Sequence, residues 1–246
     1  MTIPKIFHYC WFGNNKKPDL ALKCIKTWNK FSDYKIVEWN ESNCDIHVNK
    51  FVVDAYADKA WAYVSDYFRL KALYDNGGIY LDTDVKVFKD FQPFLNDKMF
   101  LSFMFDCTLG TAVIGAEKHN PVIKNLLDLY DDLTFSRNPN NDLYTKWFLE
   151  NKNIKLNNTK QVYPDFTIYP KEYFECPTHD KDKGYSAHYF MGSWYAKPSL
   201  YRRIRRNILF AVMGEVWYHQ KIRKGSISAS QWYKTYLEHV KEINND

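Results

Sequence analysis

The chain has 246 residues, of which 46% are hydrophobic and 18% aromatic, with a formal net charge of +5. This apolar content is sufficient for the core of one large α/β domain or two small ones. The charge is modest and concentrated near the C-terminus, and no array of alternating basic and aromatic residues is present, which argues against a nucleic-acid-binding module.

Cysteine usage and hydropathy exclude further classes of protein. The five cysteines are odd in number, widely spaced and free of any Cys-x-x-Cys pair, so neither a disulfide framework nor a zinc site is expected. The N-terminus lacks a basic and apolar leader, and no window approaches roughly 20 consecutive apolar residues. We therefore expect a protein without a signal peptide or membrane span, located in the cytoplasm.

Strand and helix patterns alternate in the first third of the chain. Residues 3–12 predict a buried strand, a helix capped by Asp19 follows, and residues 34–39 predict a second strand. A helix over 52–74 is stopped by the Asn-Gly-Gly run at 76–78, whose glycines are expected to form a left-handed C-cap. This order is typical of a parallel α/β sheet flanked by helices.

The remaining two thirds of the chain show a less regular alternation. The predicted elements are strands at 79–81, 85–88, 99–104 and 111–115, helices at 121–133 and 144–149, a loop at 136–142, an extended segment at 162–169, a strand or loop at 186–194, and a long helix at 199–224. We therefore expect one α/β domain over residues 1–198 and a basic, amphipathic helical extension over residues 199–246.

The most informative stretch is Gly-Gly-Ile-Tyr-Leu-Asp-Thr-Asp at 77–84. Side chains alternate along a strand, so Tyr80, Asp82 and Asp84 are expected to point to one side. Two carboxylates at a strand end suit Mg²⁺ or Mn²⁺ with coordination positions left for phosphate oxygens. Such an ion would stabilise a nucleoside diphosphate as it leaves a sugar. This stretch predicts the metal and diphosphate site of a sugar-nucleotide enzyme.

The helix before the double glycine carries Asp66 and Arg69 on one face. Most of its other residues are apolar on every side, which indicates a buried helix. Charged side chains in such a helix need partners, because removing one partner of a buried pair costs about 3–5 kcal/mol. Either the two residues form an ion pair that satisfies only itself, or both reach a polar ligand at the end of the neighbouring strand.

A third metal ligand is predicted from a distant part of the chain. His188 is the candidate, and Ser193 and Trp194 are expected to donate hydrogen bonds to phosphate oxygens. A lone histidine is usually a satisfied or surface residue, so both interpretations of His188, as a metal ligand and as such a residue, stay open at this point.

Four motifs occur in a consistent order over roughly residues 3–195. They are Ile-Pro-Lys-Ile-x-His-Tyr-x-Trp-x-Gly at 3–13, Ser-Asp-x-x-Arg at 65–69, Gly-Gly-x-Tyr-Leu-Asp-x-Asp at 77–84, and His188 followed by Gly-Ser-Trp at 192–194. Together they resemble the Asp-x-Asp sugar-binding glycosyltransferases, a family with bacterial capsule and exopolysaccharide enzymes and the yeast initiating mannosyltransferases. The resemblance extends more distantly to the catalytic domain of the large clostridial glucosylating toxins.

The resemblance implies a GT-A fold (a Rossmann-like, nucleotide-binding mixed sheet flanked by helices), a nucleotide-sugar donor, Mn²⁺ or Mg²⁺, and retention of the anomeric configuration. By position, Trp11 would stack on the base and Ser65 would approach the ribose. Asp66 and Arg69 would hold hydroxyls of the donor sugar, with Tyr80 close by.

The same resemblance assigns the diphosphate end of the site. Asp82 would bridge the ribose or sugar and the metal, Asp84 would ligate the metal directly, and Trp194 would contact the β-phosphate side. Relatives vary between Asn and His at the C-terminal metal ligand, where this chain has His188. No enzymic nucleophile is evident, so the hypothesis is a front-face mechanism in which the donor phosphate assists deprotonation of the acceptor.

The segment 199–224 alternates arginine pairs with apolar residues. It is either a helix packed on the domain with a solvated basic edge, or an interfacial helix bound to anionic lipid. The second interpretation would suit an acceptor sugar carried on a polyprenyl diphosphate.

The function expected from these observations is a retaining hexosyltransferase that uses a UDP-sugar, with UDP-galactose favoured, in capsular, exopolysaccharide or O-antigen synthesis. A first alternative is a haloacid-dehalogenase-type phosphatase with Asp82 as nucleophile and Asp131 and Asp132 as its downstream acidic pair. That motif normally follows the first strand, whereas here a strand-helix-strand-helix segment precedes it. A second alternative is a non-catalytic sugar-nucleotide-binding subunit of a polysaccharide assembly complex.

Overall fold

The structure is a computed structural model that describes residues 2–190 and 200–245. Its strands are β1 (Ile6–Cys10), β2 (Lys35–Trp39), β3 (Gly78–Leu81), β4 (Val85–Val87), β5 (Met99–Phe105), β6 (Thr108–Leu109), β7 (Val113–Ala116), β8 (Gln161–Val162), β9 (Thr167–Tyr169) and β10 (Ser186–His188). Its helices are α1 (Asp19–Trp28), α2 (Lys50–Ala57), α3 (Trp61–Asn76), α4 (Pro121–Asp132), α5 (Asn140–Lys152), α6 (Lys171–Phe174), α7 (Leu200–Ala229) and α8 (Tyr233–Asn245).

The main sheet is mixed, with strand order β2-β1-β3-β7-β5-β9-β8 and β6 paired to β5. Strands β1, β2 and β3 are parallel, β7 is antiparallel to both β3 and β5, and β9 runs parallel to β5. This mixed sheet flanked by helices is the α/β architecture that the sequence predicted, with helices at the C-terminus. Because β1, β2 and β3 are parallel, their carboxyl ends share one edge of the sheet.

Both faces of the parallel part of the sheet are buried. Along β3, Ile79 and Leu81 pack into one apolar cluster with Phe7 and Trp28, whereas Tyr80 packs into the other cluster, which includes α3. Because both faces are buried, β1 and β3 consist mainly of apolar residues and do not alternate between apolar and polar side chains.

The long helix predicted over 52–74 is two helices, α2 and α3. The break lies at Lys59, which has a φ of 54°, a left-handed conformation that interrupts helical hydrogen bonding. Asn49 caps α2 by accepting a hydrogen bond from the Val52 amide at 2.9 Å. The sequence pattern missed this break because the residues on both sides are apolar at helical spacing.

Two predicted caps differ in detail. Helix α1 begins at Asp19 itself, after Pro18, and has no side-chain capping bond. Gly77 ends α3 with φ 66° and ψ −174°, so its positive φ fits the expectation but its ψ does not belong to the left-handed helical region. This conformation is accessible mainly to glycine, and it turns the chain directly from the helix into β3.

The second half of the chain also departs from the predicted boundaries. Helix α5 begins inside the predicted loop 136–142, the extended segment 162–169 is the β8–β9 hairpin, and strand β10 ends at His188. The predicted helix over 199–224 corresponds to α7, which is longer and contains a non-helical residue, Gly214.

Helix α8 lies within the helical extension expected over residues 199–246, although no separate helix was predicted there, and it packs on the α/β domain. Trp232 and Tyr236 lie against the main apolar cluster. The Leu156 amide donates to Nδ1 of His239 at 2.9 Å, and Lys155 forms an ion pair with Glu242 at 2.7 Å. None of the described helices combines the length and the apolar character that crossing a bilayer would require.

His8 on β1 holds the glycine turn that precedes β3. Its Nε2 lies 2.8 Å from the Gly77 carbonyl oxygen, and its Nδ1 lies 3.1 Å from Nε1 of Trp39, which donates to it. The ring is therefore neutral, with its proton on Nε2. Burial lowers the pKa of His8 to about 4, even though the Gly77 carbonyl opposes the shift.

This shift predicts an acid-sensitive contribution to stability. The pKa of His8 is lower in the folded protein than in the unfolded chain. The stabilisation by the neutral ring is therefore complete at pH values above the pKa of the unfolded chain, and it is lost progressively as the pH falls towards 4. From about pH 7.5 to about pH 4.5, wild type should lose about 2–3 kcal/mol more free energy of unfolding than His8→Gln. Urea unfolding at both pH values measures this difference, and replacing the exposed His47 by Gln is the control. An equal loss in wild type and His8→Gln would contradict the assignment.

Candidate functional site

The Asp-x-Asp turn joins β3 to β4 at the carboxyl edge of the parallel strands. The Asp82 amide donates to the Ala112 carbonyl at 2.8 Å, and the Val85 amide donates back to the Asp82 carbonyl at 3.0 Å. These bonds fix a tight turn rather than a continuous strand, so the strict alternation assumed from the sequence ends at Asp82.

Strand β10 brings His188 to this turn from a distant part of the chain. It pairs antiparallel with β4, so that His188 lies opposite Val85, and the Tyr189 amide donates to the Asp84 carbonyl at 3.0 Å. As a result, Nε2 of His188 lies 3.3 Å from Oδ1 of Asp84. His188 is therefore neither a surface histidine nor an isolated core histidine.

Among the residues that the structure describes, Asp82, Asp84 and His188 place their potential ligand atoms within 4.8 Å of one another. Asp84 and His188 are largely buried, and Asp82 is partly open to solvent. Two carboxylates and one imidazole fit a divalent transition ion such as Mn²⁺ better than Mg²⁺, which prefers oxygen ligands alone. The residues that the sequence predicted as metal ligands are thus brought together.

Glu175 is the main site residue that the sequence did not suggest. Its Oε2 lies 2.9 Å from Nδ1 of His188, its backbone carbonyl accepts from the His188 amide, and its side chain is 0% exposed. Gly110 lies against its other carboxylate oxygen, where any Cβ would collide with it. Burial alone would lower the pKa of His188, but Asp84 and Glu175 raise it well above the ordinary value.

The carboxylate of Glu175 orients the histidine ring so that Nε2 faces the aspartates. Histidines that bind metals commonly donate their second ring nitrogen to a carboxylate in this way. No local signal could have identified Glu175, because it is separated from His188 by a loop and the two meet only when β10 pairs with β4.

Arg69 forms the opposite wall of the turn. Its Nη2 lies 2.7 Å from Asp66 and 3.4 Å from Asp82, and its Nη1 donates to the Thr111 carbonyl at 2.7 Å. The guanidinium also sits 4.7 Å from the ring centroid of Tyr80, and the Tyr80 hydroxyl donates to Asp82 at 3.0 Å. The side chain is only 4% exposed.

The ion pair predicted on α3 is present, but it does not satisfy only itself; the contact of both side chains with a ligand stays a prediction. Asp66 and Arg69 form the i, i+3 ion pair, and Arg69 extends it to Asp82 at the strand end. Oδ1 of Asp66 also accepts from Nδ2 of Asn140, at the start of α5, at 2.8 Å. Burial raises the pKa of Asp66 to about 7, against the opposing effect of Arg69.

The remaining predicted residues lie along the same edge. Trp11 directly follows β1, and its Nε1 donates to the Asn15 carbonyl at 2.6 Å. Ser65 lies on α3 one turn after Trp61, to whose carbonyl its hydroxyl donates at 2.9 Å. The Trp61 ring packs against Gly13, so this part of α3 lies beside the loop that follows β1.

The predicted phosphate-binding residues Ser193 and Trp194 lie outside the described residues. The predicted acidic pair of the phosphatase alternative, Asp131 and Asp132, is exposed at the end of α4.

Comparison with known families agrees with this geometry. Residues 18–101, which include α3 and the Asp-x-Asp turn, match the family described as "Glycosyltransferase sugar-binding region containing DXD motif". The resemblance to the Asp-x-Asp sugar-binding glycosyltransferases is thereby confirmed. Neither the phosphatase nor the non-catalytic alternative is favoured by this match.

Two solved structures are similar to the chain. One is titled "PaToxG Glycosyltransferase", with a TM-score of 0.46 and 19% identity over 61% of this chain and 69% of that chain. The other is a glycosyltransferase involved in the glycosylation of the major capsid of PBCV-1, with a TM-score of 0.43 and 14% identity over 75% of this chain and 93% of that chain. No curated protein matches the chain.

The buried ion pair generates a prediction about stability. Arg69→Met leaves the buried Asp66 beside Asp82 without a cation, so that Asp66 must either stay unpaired or take up a proton, which should cost about 3–5 kcal/mol of unfolding free energy. Arg137, whose ion pair with Asp58 is exposed, provides the control, since Arg137→Met should cost less than about 1 kcal/mol. Urea unfolding at neutral pH compares the two, and similar losses would show that Arg69 has no special role.

Proposed function

We propose that the protein is a metal-dependent retaining glycosyltransferase that moves a hexose from a UDP-sugar to a glycan acceptor. The observation that carries the proposal is the convergence of Asp82, Asp84 and His188 at the carboxyl edge of the parallel strands, next to Arg69 and Asp66. Ligands of α/β proteins commonly bind at this edge.

Each group of side chains has a separate role in this proposal. Asp82, Asp84 and His188 would hold Mn²⁺ or Mg²⁺, which when bound stabilises negative charge on the departing diphosphate. Trp11 stacks on the base and Ser65 approaches the ribose, both from the elements that border the same edge.

Asp66 and Arg69 hold the donor sugar by its hydroxyls, with the Tyr80 ring behind the guanidinium. Ser193 and Trp194 are proposed to donate to the phosphate oxygens. Glu175 acts through His188 as a positioning residue, because its carboxylate fixes which ring nitrogen faces the aspartates.

The proposed route is front-face transfer with retention of configuration. In this route the new glycosidic bond forms on the face from which the diphosphate leaves, and a phosphate oxygen takes the acceptor's proton. Asp66, a carboxylate close to Arg69, is held at Oδ1 by both Arg69 and Asn140. These bonds suit a residue that orients sugar hydroxyls better than one that attacks the anomeric carbon.

UDP-galactose is the favoured donor, followed by UDP-glucose and UDP-N-acetylhexosamine. The proposed acceptor is a glycan carried on a polyprenyl diphosphate, at the cytoplasmic face of a membrane during capsule, exopolysaccharide or O-antigen synthesis. Selection among hexoses depends on contacts to single hydroxyls, so a panel of nucleotide sugars assayed for Mn²⁺-dependent hydrolysis identifies the donor.

The metal role of Asp84 is testable on the same assay. Asp84→Asn should lower Mn²⁺-dependent donor hydrolysis by about 100-fold or more, because an amide replaces an anionic ligand. Calorimetric titration with Mn²⁺ should show a matching loss of affinity. Asp132→Asn, which changes an exposed carboxylate on α4, is the control. Full hydrolysis by Asp84→Asn would refute the assignment.

The membrane part of the proposal is supported by exposed apolar side chains on α7. Ile208, Val212 and Trp217 are 56%, 79% and 64% exposed, and the helix carries several arginines in sequence. Apolar groups of this kind, combined with basic residues, favour binding to an anionic lipid surface.

A paired substitution tests this role without removing α8. Val212→Glu combined with Trp217→Glu should weaken co-sedimentation with phosphatidylglycerol vesicles about tenfold or more, since each buried apolar side chain is worth about 1.5–3 kcal/mol. Val162→Glu changes an apolar residue of similar exposure, 71%, on β8 and should bind as wild type does. Equal sedimentation of the paired variant and wild type would exclude α7 as the contact.

A further inference from the structure

A cavity of about 560 Å³ borders Asp66, whose partner Arg69 reaches the Asp-x-Asp turn. Its walls come from α3, the end of α4, the start of α5 and the short segment that joins α7 to α8. The lining residues used below are Tyr63, Asp66, Tyr130, Asn140, Asp142 and Trp232. Its volume lies within the range of about 300–1,000 Å³ that is usual for small-molecule sites, which is more than a single sugar ring requires.

The cavity is connected to the candidate donor site through one carboxylate. Asp66 lines the cavity, and its Oδ1 binds both Asn140, which also lines the cavity, and Arg69. Arg69 in turn lies 3.4 Å from Asp82. A molecule in the cavity would therefore lie beside the same carboxylate that Arg69 links to the Asp-x-Asp turn.

The lining has the chemistry of a carbohydrate site. The buried rings of Tyr63 and Tyr130 and the partly buried ring of Trp232 line it, together with the polar side chains of Asn140 and Asp142. Aromatic rings combined with a few placed polar groups give sites that hold an amphipathic ligand in one orientation.

Charge argues against a phosphate-bearing occupant. The charged residues that line the cavity are Asp66, Asp142 and Lys146, and Asp66 is already paired with Arg69, so the lining carries no excess of positive charge. A diphosphate would find only one lysine here to balance its charge, whereas a hydroxyl-rich sugar without phosphate needs no cationic partner. The nucleotide therefore belongs at the metal-ligand cluster and not in this cavity.

Part of the wall comes from the C-terminal helices. Nε1 of Trp232 donates to Oδ1 of Asp142 at 2.9 Å, which fixes the indole against the start of α5. The contacts of α8 with Leu156 and Lys155 hold this segment in place. The segment that joins α7 to α8 therefore forms part of the wall of this cavity. Helix α7 itself is the candidate membrane contact.

We propose that this cavity binds the non-reducing sugar residues of the glycan acceptor, and that Trp232 is its stacking platform. The proposal rests on the glycosyltransferase function proposed above and assigns to it the acceptor subsite. It also gives the α7–α8 segment a role in acceptor specificity.

Saturation-transfer NMR with a panel of methyl hexopyranosides and methyl N-acetylhexosaminides, in the presence of UDP and Mn²⁺, tests the proposal. Wild type should transfer saturation to at least one glycoside, and Trp232→Ala should weaken that affinity about tenfold or more. Trp217→Ala, an exposed tryptophan on α7 that does not line this cavity, should bind the glycoside as wild type does.

A second variant covers the case in which Trp232→Ala does not fold. Asn138 lines the cavity but is exposed, so Asn138→Trp should block the cavity while leaving the melting temperature unchanged. Loss of glycoside binding in Asn138→Trp with UDP affinity retained supports the proposal. Glycoside binding that is unaffected by both variants, or no glycoside binding by wild type that binds UDP and Mn²⁺, overturns it.

Titration of wild type with UDP and Mn²⁺ separates the two proposals. If UDP does not bind in a Mn²⁺-dependent way, the proposed function itself fails. If UDP binds and Trp232→Ala lowers UDP and glycoside affinity equally, the cavity belongs to the donor and the acceptor assignment is wrong.

Discussion

The ion pair of Arg69 with Asp66 is the interaction on which one half of the candidate site depends. The guanidinium is buried, so its cost of desolvation must be offset by close anionic and dipolar partners. Asp66, Asp82, the Thr111 carbonyl and the Tyr80 ring provide them. Because one cation holds residues from α3, β3 and the loop before β7, the position of Asp82 is fixed by the packing of three separate elements.

The other half of the site depends on the pairing of β10 with β4. This short two-stranded sheet carries His188 to Asp84, and the buried carboxylate of Glu175 sets the orientation of the ring. The turn between the two aspartates is therefore supported from two sides, by Arg69 at Asp82 and by His188 at Asp84. Such double support gives an active site the rigidity that transition-state stabilisation requires.

The sequence was sufficient to predict the parts of the fold that have strong local signals. The apolar run that forms β3, the double glycine before it and the two aspartates after it located the turn, because period-two alternation and glycine conformation are local properties. The placement of Asp66 and Arg69 on one helical face predicted their contact, and the motif order predicted that His188 would reach the same turn.

Features that depend on long-range packing were not predictable in the same way. The break between α2 and α3 is hidden by apolar residues on both sides of Lys59. Glu175 meets His188 only through the β10–β4 pairing, and Asn140 meets Asp66 only because α5 begins beside α3. Helix α8 docks through Trp232 and Tyr236, whose spacing gives no indication of which surface they cover.

Diffraction from a crystal grown with UDP and MnCl₂, measured at the manganese absorption edge, tests most directly whether this turn is a cation and diphosphate site. We predict an anomalous peak bounded by the carboxylates of Asp82 and Asp84 and the imidazole of His188, with the UDP phosphates beside it. Bound UDP without manganese at these three side chains, or manganese located elsewhere on the protein, would contradict the proposed site.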